Sequence, residues 1–165
     1  MAGTPRLGLP FLSPGQAQKE FTHNEALQTL DIVASLAIEE APRADPPASP
    51  AIGTCYIVDA LATGAWAGQS QCVAGFTSGG WRFVTPVEGM AAYVKTDSIW
   101  AVYRTGGWEL GMLRGSGVEV GGQQVIASRA AAIASAAGGT IVDSEARAVL
   151  DQILGALRHH GLIET

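Results

Sequence analysis

One pattern occurs twice in this chain and constrains its fold more than any other feature. Residues 76–83 (FTSGGWRF) and 103–110 (YRTGGWEL) share an aromatic residue, two further residues, Gly-Gly, Trp, a charged residue and an apolar residue, 27 positions apart. A Gly-Gly pair between short runs of aromatic and β-branched residues indicates a hairpin, because glycine takes positive φ at both turn positions without steric cost. Each copy therefore predicts a strand, a tight turn and a strand.

The segments around the two copies extend this β pattern. Residues 90–95 and 98–103 are rich in apolar and aromatic side chains, and they flank Thr96-Asp97, which predicts a further turn. Residues 53–58 predict the first strand, and residues 59–68 predict the loop that follows it. We expect the block to form a small antiparallel meander or sandwich.

A helix is predicted upstream of this block. Ser13 suits the N-cap and Pro14 the first helical position. Gln16, three residues after the cap, completes a capping box, so we predict a helix from Pro14 to about Ala34. Before it, residues 1–12 form an apolar arm, which we expect to pack on its own domain or on a neighbour.

Prolines and glycines divide the middle of the chain. Residues 37–41 predict a short strand or a helix end, and Pro42, Pro46, Pro47 and Pro50 then predict an extended connector that no helix crosses. Within the β block, Pro86 and Gly89 predict a turn between the two Gly-Gly-Trp copies.

The C-terminal part predicts a second helix. Asp143 suits its N-cap and Gly161 its stop, and the apolar positions between them follow helical spacing: Ala146, Val149, Leu150, Ile153, Leu154 and Leu157. A helix of about four turns is marginal alone, so this stripe needs a partner, either the β block or the same helix of other subunits. Upstream, residues 112–122 are glycine-rich, residues 124–128 predict a strand, and residues 130–137 stay open between a short helix and an extended segment.

The predicted fold class is therefore α+β: an N-terminal helix, a small antiparallel β meander or sandwich and a C-terminal amphipathic helix. We divide the chain into an N-terminal arm and helix (1–41), a proline-rich connector (42–52), an antiparallel β domain (53–128) and a C-terminal segment with an oligomerisation helix (129–165).

The composition of the chain indicates which kinds of partner to expect. Charged residues make up only 15% of the chain and apolar residues 47%, so we expect other subunits to cover much of the surface. A net charge of −5 leaves no basic stripe for nucleic acid. No apolar run approaches the roughly 18 residues of a membrane span, and no secretory signal is evident. Cys55 and Cys72 are predicted to be buried free thiols rather than a disulfide.

Catalytic motifs are absent from the sequence. No phosphate loop, dinucleotide fingerprint, nucleophile elbow or zinc-protease helix occurs, so we predict no catalytic residue, no cofactor and no enzyme. His23 and Glu25 are two positions apart on a helix, and His159 and His160 are adjacent. Each pair is expected to diverge, which disfavours a metal site within one chain.

The four tryptophans are the remaining candidates for a ligand site. Trp66, Trp81, Trp100 and Trp108, with Tyr103, predict a stacking platform for sugar rings, whose apolar faces suit exposed indoles. The competing interpretation, which we favour, places these side chains in the core or in a subunit interface.

Several segments resemble a known family. They are residues 9–20 (LPFLSPGQAQKE), 23–27 (HNEAL), 47–50, 56–58 (YIV), 64–68 (GAWAG), 79–83 (GGWRF) and 86–89 (PVEG). They are similar to a domain of unknown function that is carried by alphaproteobacterial prophages and gene transfer agents. The tail, residues 138–163, resembles the ending of such phage structural proteins.

The resemblance implies a structural component of a phage-like particle, made in the bacterial cytoplasm and placed on the capsid surface. Proteins of this kind form head spikes that engage capsular polysaccharide, and the short chain favours the spike base. The implied partners are further copies of the chain, as a pentamer or alternatively a trimer, a capsid vertex protein and a spike fibre protein. The alternative function is a carbohydrate-binding module, and a polysaccharide-degrading enzyme comes third.

Overall fold

The computed structural model describes residues 3–12, 19–141 and 143–164 of the chain. The chain divides into two compact units, Met1–Met112 and Leu113–Thr165. Helix and antiparallel strands occur in both, which confirms the predicted α+β class. The four-part division proposed from the sequence stays a prediction.

The described residues of the first unit form one helix, seven strands and a short 3-10 turn. In chain order these are α1 (Lys19–Val33), β1 (Ala37–Ile38), β2 (Cys55–Ile57), the 3-10 turn Gly64–Trp66, β3 (Val73–Thr77), β4 (Gly80–Val84), β5 (Ala91–Val94), β6 (Ile99–Arg104) and β7 (Gly107–Leu110). The predicted cap residues of the first helix, Ser13, Pro14 and Gln16, lie outside the described residues. Residues 37–41, left open between strand and helix end, begin with a strand.

The strands of the first unit form two sheets, where the sequence predicted a small antiparallel meander or sandwich. One sheet has the order β2-β3-β4, and the other has the order β1-β5-β6-β7. The break falls at residues 85–90, where Pro86 has no N–H to continue a ladder and Gly89 adopts a φ of 84°. Each sheet therefore contains one three-stranded antiparallel meander with one of the Gly-Gly-Trp hairpins. Strand β1 pairs in parallel with β5, which the sequence did not predict.

Both predicted hairpins form, but the two glycines do not share the turn positions. In the second hairpin Arg104 pairs with Gly107, and the turn residues are Thr105 and Gly106, with φ of 50° and 86°. Positive φ at both positions matches the twist of antiparallel strands. In the first hairpin the turn residues are Ser78 and Gly79, and Gly80 carries the positive φ at the start of β4. The second glycine of each pair thus begins the returning strand.

The main core lies between α1 and the inner faces of both sheets. Its buried members come from α1 and the residues after it, and from strands of each sheet: Ile32, Leu36, Ile38, Cys55, Ile57, Val73, Ala92, Val94 and Ala101. Helix α1 approaches β3 at Gly75, where a Cβ would lie 2.6 Å from two atoms of Ile32. Only glycine allows that approach without a shift of the isoleucine side chain, so Gly75 determines how closely α1 packs on β3.

The first sheet is also covered on its other face. Tyr56, Val58 and Ala74 point away from α1 because successive residues of a strand alternate, and they pack with Trp66 in a second cluster. Trp66 reaches it from the loop that follows β2. Cys55 and Cys72 are both buried and free, as predicted.

The second unit contains one hairpin and one helix. Strands β8 (Val118–Val120) and β9 (Gln123–Ile126) pair with each other, and α2 spans Ser144–His159. Strand β9 confirms the strand predicted at 124–128, whereas β8 lies in the glycine-rich stretch 112–122, for which no strand was predicted. Asp143 caps α2 as predicted, since its Oδ1 accepts the N–H of Ala146 at 2.8 Å.

The rest of the second unit is extended. Residues 130–137 form neither helix nor regular strand. Ala130 bridges Ile163 in parallel, and its N–H donates to the oxygen of Leu162 at 2.9 Å. Gly161 takes a φ of 71° after the helix, which confirms the predicted stop.

Candidate functional site

Two of the four candidate tryptophans belong to an aromatic cluster on the first sheet. The ring centroid of Trp66 lies 5.5 Å from that of Tyr56 and 5.0 Å from that of Trp81. Phe76 lies opposite Trp81 across the hairpin, at 4.9 Å. Tilted and edge-to-face pairs of this kind stabilise a core beyond the area that they bury. Because the Trp66 indole is fully buried, it has no face open to a sugar.

The indole N–H of Trp66 is an unusual feature of this cluster. Trp66 Nε1 is buried and has no hydrogen-bond partner among the residues that the structure describes. At the edge of the cluster, the guanidinium carbon of Arg43 lies 5.9 Å from the centroid of the Tyr56 ring. Packing and ring contacts, rather than a hydrogen bond to the indole, therefore hold Trp66 in place.

Trp108 connects the second sheet to the first. Its ring lies 5.5 Å from that of Tyr103, the residue directly opposite on β6. Trp108 Nε1 donates to the main-chain oxygen of Gln71 at 2.9 Å, just before β3. The ring also packs against the main core cluster. These contacts give Trp108 a structural role between the two sheets.

Trp100 lies on the face of the second sheet that turns away from the core. It is 51% exposed, and its only ring neighbour within the described residues is Tyr93, directly opposite on β5 at 5.7 Å. On the side of Trp100 away from β5, the neighbouring residue is Gly111, which follows β7. Its N–H donates to the main-chain oxygen of Trp100, and it has no side chain to cover the indole. The outer face of the indole is therefore open. Further along the same face, Arg104 and Glu109 form an ion pair of 3.5 Å.

The structure does not assemble the four tryptophans into one platform. Trp66 and Trp81 pack on the first sheet. Trp100 and Tyr103 are three positions apart on β6, so their side chains point to opposite faces of the second sheet, and Trp108 lies on the same face as its partner Tyr103. The four rings thus do not form one shared platform, which the sequence offered as the less favoured alternative to the core or an interface. Sugar stacking on the exposed ring of Trp100 stays a prediction.

The polar first half of α1 makes structural contacts. Glu25 accepts two hydrogen bonds from Arg82 of β4, at 2.9 and 3.0 Å. These bonds lower the pKa of Glu25 and raise the pKa of Arg82. Asn24 binds both the N–H and the oxygen of Leu12 through its side-chain amide. Glu25 is thus committed to Arg82, while His23 faces outward.

A clamp that the sequence did not reveal holds the N-terminal arm on α1. The buried carboxylate of Asp31 accepts the hydroxyl of Thr4 at 2.7 Å and the N–H groups of Arg6 and Leu7 at 2.9 and 2.6 Å. The guanidinium of Arg6 in turn donates to main-chain oxygens at the end of α1, among them that of Ile32 at 2.8 Å. Of the two alternatives for the arm, its described part packs on its own unit.

The clamp also ends α1. The last carbonyl groups of a helix have no partner within it, and a cation there is favoured by the helix dipole. Arg6 supplies both the donors and the charge, with a further bond of 2.7 Å to the oxygen of Ser35. A sequence signal was present, since an aspartate among the apolar residues of a helix end is costly without partners, but the partners lie about 25 positions away.

The second unit carries most of its apolar side chains on the surface. Among its described residues only two apolar side chains are buried, Leu154 and Ile163. Eleven large apolar side chains are exposed, with exposed fractions from 45% to 91%: Leu113, Val118, Val120, Val125, Ile126, Ile133, Ile141, Val149, Leu150, Ile153 and Leu162. The stripe predicted on the C-terminal helix is therefore mostly open, and Leu154 is its one buried member.

Within residues 3–12, 19–141 and 143–164, no three His, Cys, Asp or Glu side chains group closely enough to hold a metal ion. The rings of His159 and His160 lie 5.4 Å apart, edge to face, so these neighbours diverge less than the sequence suggested. In the same part of the chain, no helix combines the length and the apolar content that crossing a bilayer needs.

A comparison with protein families identifies the first unit. Residues 23–109, more than half of the chain, match the model of a family described as protein of unknown function (DUF2793). The chain belongs to the DUF2793 family. No curated protein matches it.

The DUF2793 match begins in α1 and ends in β7. It includes both Gly-Gly-Trp hairpins, the aromatic cluster around Trp66 and the exposed ring of Trp100. Helix α2 and the rest of the second unit lie outside the matched residues. The family description assigns no activity to DUF2793, so the function is argued from the surfaces of the two units.

Proposed function

We propose that this DUF2793 chain is a structural component of a phage-like particle, either a gene transfer agent or a prophage particle. The most specific form of the proposal is the base of a head spike, which attaches a receptor-binding fibre to a capsid vertex. The proposed partners are further copies of the chain, a capsid vertex protein and a fibre protein. The chain is then made in the bacterial cytoplasm and placed on the capsid surface.

The observation that carries the proposal is the exposed apolar surface of the second unit. A unit of about 50 residues whose described part buries only two apolar side chains cannot offset the conformational entropy of its own folding. Large exposed apolar patches mark sites of protein association, and chains that carry them can depend on a partner for stable folding. Assembly proteins use such patches as subunit interfaces. The proposed role accounts for this feature without any catalytic group.

Three further observations support the proposal. Charged residues are scarce, at 15% of the chain, as expected where neighbouring subunits replace water. Apolar side chains are exposed on the first unit too, with Leu61 82% and Ile52 57% exposed. The quoted segments that resemble particle proteins fall largely within the DUF2793 match.

The mass of the purified full chain in solution is the first test. We expect a defined oligomer, with five times the 17.0 kDa chain mass favoured because it fits a fivefold vertex, and three times as the alternative. Light scattering after size-exclusion chromatography measures it. A stable 17.0 kDa species at tens of micromolar would contradict the assembly role.

The position in a particle is the second test. A tag added to the chain and labelled with gold should appear at capsid vertices in electron micrographs of particles from the producing strain. Labelling of tails alone would contradict the spike base, and unlabelled purified particles would contradict the structural role itself.

A second candidate, a carbohydrate-binding module, is favoured by one observation. The indole face of Trp100 is open beside Tyr93, with the Arg104–Glu109 pair on the same face to bind hydroxyl groups. Titration with capsular polysaccharide should show binding that Trp100→Ala reduces at least tenfold and Val87→Ala, at another exposed apolar position, leaves unchanged. Equal binding by both variants would exclude this surface.

A further inference from the structure

The contacts that α2 makes within its own unit lie on one side of the helix. Leu154 is its buried member, Arg147 donates to the oxygens of Ala136 and Gly138, and Arg158 donates to the oxygen of Ile133. At roughly 100° per residue, Arg147, Leu154 and Arg158 fall within roughly 40° of one another around the helix axis. The extended segment 130–138 therefore covers one narrow flank of α2.

The exposed members of the apolar stripe of α2 face a different direction from Leu154. Val149, Leu150 and Ile153 are 54%, 49% and 51% exposed. On the same helical projection the centre of this group lies roughly 110° from the flank that segment 130–138 covers. An apolar stripe of this width normally faces a core, and the described residues of the unit supply none there.

The hairpin of the same unit also exposes its apolar side chains. Every residue of β8 and β9 is exposed, including Val118, Val120, Val125 and Ile126. Two strands alone are marginally stable in water, and a third strand or a packed helix is needed. The helix and the hairpin thus both lack a covering layer.

The exposed area is large enough for a stable interface. At roughly 100 Å² per branched aliphatic side chain, a value implied by transfer free energies, the eleven exposed side chains offer on the order of 600 Å² of apolar surface. A standard interface buries about 800 Å² per partner, of which somewhat more than half is apolar. Summed over all faces of the unit, the exposed apolar area is therefore comparable with the apolar part of one side of such an interface.

Charge indicates what covers the stripe. Helices that bind lipid surfaces carry an excess of Lys and Arg on their polar face. Helix α2 has two arginines, both engaged with main-chain oxygens of segment 130–138, against the acidic residues Glu145 and Asp151. A protein surface therefore fits better than a membrane. A unit without its own core also requires a partner at the time of folding, and copies of the same chain are the partner always present in equal amount.

We infer that residues 113–164 are the self-association module of this protein, with α2 of each copy packed through Val149, Leu150 and Ile153 against α2 of its neighbours. The inference rests on the proposed assembly function and assigns it to one part of the chain. The first unit, with its closed core, is then free to contact other particle proteins.

Charge substitutions in the full chain test the module. Ile153→Glu places a carboxylate in the centre of the stripe, and it should raise the concentration at which half of the oligomer dissociates by at least 100-fold. Phe21→Glu is the matched control, because Phe21 is an exposed apolar side chain of α1 in the first unit. It should leave the mass unchanged. Analytical ultracentrifugation over a dilution series measures both.

Crosslinking keeps the test valid if Ile153→Glu fails to fold. Ile153→Cys should form a disulfide between copies on mild oxidation, whereas Gly155→Cys, on the roughly opposite side of α2, should not. The native thiols of Cys55 and Cys72 are buried and do not compete. Crosslinking of Ile153→Cys no faster than of Gly155→Cys would overturn the inference.

The outcomes separate this inference from the proposed function. A monomeric wild-type chain would overturn both. An oligomer that survives Ile153→Glu but dissociates on Phe21→Glu would overturn the assignment to residues 113–164 and leave the assembly role standing. An oligomer that dissociates only on Ile153→Glu supports both.

Discussion

Arg6 and Asp31 bind each other through main chain and side chain in both directions. Arg6 Nη1 donates to the main-chain oxygen of Asp31 at 2.6 Å, and the carboxylate of Asp31 accepts the main-chain N–H of Arg6 at 2.9 Å. Asp31 is buried, so its carboxylate depends on the donors of the arm rather than on water. The arm and the helix end are therefore parts of one hydrogen-bonded structure.

Removing the carboxylate should destabilise the first unit. Asp31→Ala leaves the Thr4 hydroxyl and two N–H groups without their acceptor, and we expect a loss of about 3 kcal/mol in the free energy of unfolding. Asp97→Ala, in the exposed turn between β5 and β6, should change it by less than about 0.5 kcal/mol. Urea denaturation measures both, and similar values would show that the clamp contributes little.

The two environments of tryptophan should give different stabilities after truncation. Trp66→Ala opens a cavity in the aromatic cluster and should cost about 3–5 kcal/mol. Trp100→Ala removes a half-exposed ring and should cost about 1 kcal/mol or less. Thermal unfolding followed by circular dichroism compares them. A Trp100 variant as unstable as the Trp66 variant would mean that the ring of Trp100 is covered.

The Glu25–Arg82 pair should make a small contribution that depends on pH. Its side chains are 52% and 35% exposed, so a double-mutant cycle with Glu25→Gln and Arg82→Gln should give a coupling of about 0.2–1 kcal/mol. Because folding lowers the pKa of Glu25 from 4.5, this stabilisation is complete at higher pH and is lost as the pH falls below that value. A coupling that persists unchanged at pH 2 would contradict the ionic interpretation.

Cys55 should be protected from alkylation in the folded chain. Burial raises the pKa of its thiol from 9.0 to about 11, so at pH 8 the reactive thiolate is roughly 100-fold scarcer than in the unfolded chain. Iodoacetamide pulses read by mass spectrometry should label the residue in urea and not in buffer. Because the raised pKa keeps the folded thiol protonated, stability should also decrease as the pH rises above 9.0.

Local features of this fold are predictable from the sequence. The hairpins around Gly79 and Gly106 follow from turn chemistry within four residues, and the cap at Asp143 follows from a side chain that binds an N–H three positions on. Even there the exact turn positions differ, because the first hairpin places its positive φ at Gly80, in the strand.

Long-range features are not predictable in the same way. The parallel pairing of Ala37 with Tyr93, the clamp of Asp31 and the bond from Trp108 to Gln71 join positions 24 to 56 residues apart, and no local pattern encodes the partner. The four tryptophans share a composition signal, yet strand alternation and a loop decide which ring is covered. Of the four candidate rings, Trp66 is buried, Trp81 and Trp108 are half-buried and Trp100 is exposed.

The short stretch after α1 serves two sheets in succession. Residues 37–38 pair with β5, and immediately afterwards Glu39 donates to the oxygen of Cys55 at 2.8 Å and Arg43 to that of Ile57 at 2.9 Å, on β2. The seven residues 37–43 therefore form an edge segment of both sheets, each of which contains one copy of the Gly-Gly-Trp pattern. Proteolytic cleavage within these residues would remove an edge segment from both sheets at once. The two sheets should then lose their protection against amide hydrogen exchange together rather than one after the other.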